Sequence, residues 1–187
     1  WVGTPHGLAS FDGDRFPPHR FPRDPPNPVR ALLATADGRL LVGGQRGLYE
    51  CRDGALVQIA HEDTGPVSVR ALAEDHDGAL WVGLGTGARK ITRGGVEAFD
   101  AASGLSCDLV MCLAVDANGH VWAGTHGGGV NHYDGATWRA YTVADGLPDT
   151  RVACVGIAPD GALWVGTAFD GAARFEGDGF TAYTTRD

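Results

Sequence analysis

Short apolar runs recur along this chain, and each is broken by a turn before it grows long enough for a helix. Residues 29–34, 69–73, 110–115 and 152–157 carry little polar alternation, the pattern of a strand covered on both faces. Each run leads to Asp37-Gly38, Asp77-Gly78, Asn118-Gly119 or Asp160-Gly161, dipeptides that accept left-handed backbone angles and so close hairpins. Beyond the turn stands one phrase, written five times. It reads Trp1-Val2-Gly3-Thr4, Leu41-Val42-Gly43-Gly44, Trp81-Val82-Gly83-Leu84, Trp122-Ala123-Gly124-Thr125 and Trp164-Val165-Gly166-Thr167, at steps of 40, 40, 41 and 42 residues. A third strand opens at a glycine (Gly7, Gly47, Gly87, Gly129, Gly171), and a fourth follows another glycine-bearing turn, as in 134–141 and 179–183.

Each unit therefore predicts four strands, a to d, with the apolar run as strand a and the repeated phrase as strand b. Four-stranded units of about forty residues match the blades of a β-propeller, where each sheet buries both faces against its neighbours. The expected fold is all-β: a β-propeller of four-stranded antiparallel blades, about five in this chain, the first lacking its inner strand. The expected blades are 1–24 (partial), 25–64, 65–104, 105–146 and 147–187. The repeated Trp is read as an inter-blade packing residue, and the glycine two positions later as a point where neighbouring backbones approach closely. Six prolines between Pro17 and Pro28 make the first connection irregular. No window shows the sustained 3.6-residue period of helical repeats, and a β-sandwich does not repeat one sequence phrase five times.

Composition supports the same picture. The 29 glycines without collagen periodicity demand many tight turns. A net charge of −8 argues against a nucleic-acid surface, and no stretch reaches the apolar length of a membrane span. Cys51, Cys107, Cys112 and Cys154 form no C-x-x-C pair and fit no zinc template, so they are read as small buried thiols. Cys112 and Cys154 align with Ala31 and Ala71, positions that need a small side chain, which argues against catalysis by either.

Read together, L-W-V-G-T, the glycine opening strand c and the loop Asp145-Gly146-Leu147-Pro148-Asp149 resemble the two-component regulator propeller repeat. Ser103-Gly104-Leu105-Ser106 is an imperfect second copy of the loop, and Val110-Met111-Cys112-Leu113 and Val152-Ala153-Cys154-Val155 stand in the strand that follows it. The first two d-to-a loops lack the D-G-L-P wording. The resemblance implies a periplasmic or extracellular sensory propeller, commonly the input domain of a hybrid histidine kinase, often responding to carbohydrates. It also implies a ring of more than five blades.

Propellers bind ligands at the channel mouth formed by the b-to-c and d-to-a loops. The residues expected there are His6, Arg46, Arg70, His126, Asp149, Arg151 and Phe169, with Thr86 and Arg30 beside them. Arg and His around a funnel suit an anionic or sugar-like ligand through charge-assisted hydrogen bonds; the plainer reading is a set of solvated loop residues. His120, His126 and His132 invite a metal reading, but His120 and His126 fall at opposite ends of one predicted strand and His132 on the next. No metal and no cofactor is therefore expected. The turns 75–78 and 116–119 superficially resemble calcium loops but lack the downstream Glu, and are read as turns whose Asp side chains accept backbone amides.

These observations favour a non-enzymatic sensory or interaction propeller that binds a small molecule or carbohydrate. The alternatives are a streptogramin-lyase-like enzyme with a divalent metal, or a structural scaffold. No b-to-c loop carries the Glu of the lyase's His–Glu–His group. The incomplete first blade predicts either a five-bladed ring with one three-stranded blade or association between chains at that open edge.

Overall fold

Glycine turns cut the chain into nineteen strands among the described residues. The structure is a computed structural model that describes residues 1–19, 28–59 and 67–185. Blade 1 holds β1 (Val2–Thr4), β2 (Gly7–Ala9) and β3 (Pro18–His19). Blade 2 holds β4 (Val29–Ala34), β5 (Leu40–Gly44), β6 (Gly47–Arg52) and β7 (Ala55–Gln58). Blade 3 holds β8 (Ala71–Glu74), β9 (Leu80–Leu84), β10 (Gly87–Thr92) and β11 (Gly95–Phe99). Blade 4 holds β12 (Val110–Val115), β13 (Val121–Thr125), β14 (Val130–Tyr133) and β15 (Trp138–Tyr141). Blade 5 holds β16 (Val152–Ile157), β17 (Leu163–Thr167), β18 (Ala172–Phe175) and β19 (Phe180–Tyr183).

Every sheet is an antiparallel meander in chain order, one of three strands and four of four. This is the β-propeller architecture expected from the repeat. Most of the proline-rich stretch and the expected boundaries at 24/25 and 64/65 lie outside the described residues. No helix among those residues is long and apolar enough to cross a membrane.

The inner strands share a device that the sequence did not show. A register shift follows the first residue of β4, β12 and β16, between Val29 and Ala31, Val110 and Cys112, and Val152 and Cys154. Blade 3 enters differently. Val69 donates its amide to Gly44 of the blade before, and Arg70 to Gly83 across its own sheet, so β8 begins at Ala71 rather than at Val69 as expected.

Packing between blades follows one rule. The glycine of each of the first four repeated phrases faces the valine at the entry to the next blade's inner strand. A Cβ on Gly3, Gly43, Gly83 or Gly124 would lie 2.5, 2.6, 2.8 or 2.5 Å from the nearest methyl of Val29, Val69, Val110 or Val152, inside any real carbon–carbon contact. The close approach read from the sequence is thus a side chain entering a notch. Beside it, Trp81 is fully buried and stacks on Phe99, 5.3 Å away, while Tyr133 and Trp138 of blade 4 close over it. Trp122 is covered by Phe175 of blade 5.

Blade 5 breaks the pattern. Trp164 is 38% exposed, and no valine approaches Gly166. Among the described residues, blade 5 makes no packing against blade 1 comparable to that between successive blades. A closed five-bladed ring is therefore not formed. Among the described residues the five sheets make an open arc in which the outer face of blade 5 is uncovered.

The thiols need a matching correction. Cys51, Cys107 and Cys112 are only half-buried and Cys154 is exposed. Cys112 lies under blade 5, and burial, then the neighbouring Cys154, pushes its thiol up to about 12. Cys154 holds the equivalent place on the blade whose outer face is open.

Candidate functional site

The arc has two rims. One carries the b-to-c loops and the starts of the inner strands; the other carries the a-to-b and c-to-d turns. On the loop rim, the connections into blades 4 and 5 are built alike. Short 3-10 turns at Ala101–Ser103 and Val143–Asp145 are capped by Asp100 and Thr142 and end at Gly104 and Gly146, with φ of 109° and 97°. The left-handed step turns Leu105 and Leu147 inward, where both are 3% exposed. These are the loops carrying the D-G-L-P wording, and their leucine is a core residue. Ser106 then accepts from the Asn131 side chain and donates to the Gly128 carbonyl, tying the loop to the strand-c entry.

The loop between Leu147 and β16 presents the strongest polar cluster on this rim. Arg151 grips the buried Asp149 through Nε at 3.0 Å and Nη2 at 2.9 Å. The hydrogen bonds from Arg151 hold the Asp149 carboxyl below its ordinary range and raise the guanidinium in return. The guanidinium carbon sits 4.4 Å from the centre of the Phe169 ring, a cation–π contact, and Phe169 itself is 72% exposed. His126 meets Arg151 through a backbone bridge.

Four of the seven residues expected at a ligand site therefore come together: His126, Asp149, Arg151 and Phe169. Arg70 does not join them. It lies two inner strands away, with Nη1 3.8 Å from the Met111 sulfur and its buried Nε without a hydrogen-bond partner. His6 and Arg46 occupy the equivalent loops of blades 1 and 2, where the Arg46 carbonyl accepts from Gln58.

The turn rim holds a constellation that the sequence reading separated. Asp75 takes the amides of Asp77 and Ala79 on Oδ1, as expected of a turn, and the Trp81 indole on Oδ2 at 3.0 Å. Lys90 completes the group, with Nζ 3.5 Å from that oxygen and 5.4 Å from the Trp81 ring centre. Burial alone would push the Asp75 carboxyl up; these hydrogen bonds and the ammonium outweigh it and hold it below its ordinary value.

Asp116 repeats the arrangement in blade 4, taking the amides of Asn118 and His120 and the Trp122 indole at 2.9 Å. Here β13 and β14 pair Trp122 with His132. His132 consequently stacks on Trp122 at 4.0 Å between ring centres, and its Nε2 lies 3.1 Å from Nδ1 of His120. Burial, then the neighbouring His120, lowers the His132 pKa. The sequence placed His120 and His126 at opposite ends of one strand and His132 on the next; register across the two strands brings His132 beside His120. A cleft of about 270 Å³ opens beside this group, lined by His76, Lys90, His120 and Asp134.

The family described as "Two component regulator propeller" matches residues 65–86 and 104–127. These segments span the a-to-b hairpins of blades 3 and 4. No curated protein matches the chain in sequence.

Among solved structures, the extracellular domain of a hybrid two-component system from B. thetaiotaomicron superposes with a TM-score of 0.85 at 22% identity, over 100% of this chain and 27% of that one. The extracellular domain of a one-component system from the same organism gives 0.58 at 16% identity, over 97% and 33%. Virginiamycin B lyase from Staphylococcus aureus, in an inactive variant with quinupristin, gives 0.76 at 12% identity, over 96% and 63%. This chain thus spans 27% to 33% of the two extracellular domains that it resembles. Sheet order and the inter-blade glycines make the chain a β-propeller, and two of its hairpins match the two-component regulator propeller repeat.

Proposed function

We propose that this chain is the ligand-recognising part of an extracellular sensor, without catalytic activity of its own, and that it binds a sugar-like ligand bearing an anionic group. The observation that carries this reading is the Arg151–Phe169 pair. An aromatic ring that is 72% exposed stands against a guanidinium that a buried carboxylate holds in place. An exposed ring offers a face for the apolar side of a pyranose, and an oriented guanidinium offers charge-assisted donors to a carboxylate or sulfate. Placement outside the cytoplasm is supported by the structures that the chain resembles, which are extracellular domains. The lyase reading has less support, because no Glu stands in a b-to-c loop.

A thermal-shift screen with neutral and acidic oligosaccharides tests the proposal. An acidic saccharide should raise the melting temperature, and Phe169→Ala should abolish that rise while leaving the unliganded protein as stable as before. No shift with any saccharide, or a shift that survives Phe169→Ala, overturns it.

A further inference from the structure

The blades answer one local question, what faces the carboxylate beneath the strand-b tryptophan, in two ways. In blade 3 the answer is an ammonium: Asp75, with Ala79 and Lys90 around it, forms an ion pair above the Trp81 ring. In blade 4 the matching positions hold Asp116, His120 and His132. The carboxylate and its tryptophan are kept, and the lysine is gone. In register His132 takes the place of Lys90 and His120 that of Ala79, so two neighbouring imidazoles stand beside the carboxylate.

We infer that Asp116, His120 and His132 bind a first-row divalent transition-metal ion, zinc being the reference case, in the place that the Lys90 ammonium takes in blade 3. The ligand atoms of the three residues all lie within 4.8 Å of one another. His120 Nδ1 is 3.1 Å from His132 Nε2 and 3.9 Å from Asp116 Oδ2. A tetrahedral zinc with bonds near 2.0–2.1 Å places its ligands about 3.3 Å apart, so the set closes on an ion with small side-chain movements. Two imidazoles and one carboxylate select borderline metals over calcium or magnesium, which take oxygen ligands.

The supporting contacts are already made. Asp116 is oriented by the Trp122 indole and two backbone amides, and the His132 ring lies flat on Trp122. Such contacts hold ligands in place before the metal arrives. The His120 side chain is about one-third exposed, which leaves an approach for the ion and a coordination position facing the cleft. The site lies on the rim opposite Arg151 and Phe169, so it is independent of the proposed saccharide site.

The test uses untagged protein with Zn²⁺ or Co²⁺ as the only added ligand. Calorimetry should give one ion per chain, and Co²⁺ should give the visible absorption of a low-coordinate nitrogen–oxygen site. His132→Gln should weaken binding at least tenfold. The decisive variant is His120→Ala with His132→Lys, which rebuilds the blade 3 group in blade 4. It should fold with an undiminished melting temperature and lose both metal binding and metal-dependent stabilisation. Two outcomes overturn the inference. One is that Zn²⁺ and Co²⁺ do not bind the wild-type protein, which leaves a hydrogen bond between the two imidazoles. The other is that binding persists in the rebuilt variant, which places the ion on other side chains.

Discussion

Gly124 has room for a hydrogen atom and for nothing larger. A Cβ there would fall 2.5 Å from a methyl of Val152 and would also strike the Cys112 sulfur. Gly124→Ala should therefore cost about 1–3 kcal/mol, the usual penalty of overpacking. Gly166→Ala should cost clearly less, because its new methyl meets only the Cys154 sulfur, at 2.6 Å. Urea midpoints of the two variants decide this. The sequence showed that these glycines repeat, but not what faces them, since each valine lies on a different sheet. The histidines were misread for a similar reason. Contact between His120 and His132 depends on a cross-strand register that sequence spacing alone does not reveal. Asp75 and Asp116 were read correctly as turn residues, whereas their bonds to an indole six residues onward needed the folded hairpin.

At the scale of elements, the strands were the most legible part of the chain. β4, β12 and β16 match their apolar runs residue for residue, but the cover expected on both faces is not found: apart from Val110 and Val152 their residues are half-buried or exposed. The loops preceding β12 and β16 were legible as wording but not as structure. Their wording did not say where the leucine goes: Leu147 is 3% exposed and packs beside Val152, Phe180 and Tyr141. Leu147→Ala should destabilise the protein by about 2–5 kcal/mol. A loss below about 1 kcal/mol in chemical denaturation would show that the capped turn does not depend on its leucine anchor. The polar cluster on the loop rim was half legible. Arg151 and Asp149 stand two residues apart, but the chain does not announce that Phe169, on another loop, stacks against Arg151.

The whole molecule is an arc in which the repeated tryptophan is buried in blades 3 and 4 and exposed in blade 5. Trp81 and Trp122 are 0% and 3% exposed, whereas Trp164 is 38% exposed. Acrylamide should therefore quench a fraction of the fluorescence that falls in Trp164→Phe and does not fall in Trp81→Phe. Equal quenching in the two variants would mean that the outer face of blade 5 is covered in solution. Ring closure was the expectation that sequence served least well. A repeat specifies how one blade meets the next, while the size of a ring depends on small angles summed over all its blades.

The glycine notch has a consequence beyond stability. Every junction between blades uses the same key and the same lock, so any blade presents a compatible front to any other blade's back. Genes for such chains can gain or lose a forty-residue unit by unequal recombination without a new interface having to evolve. Each inserted unit arrives ready to dock, and its turns and loops are then free to diverge, as blade 4 has diverged from blade 3 beneath its tryptophan.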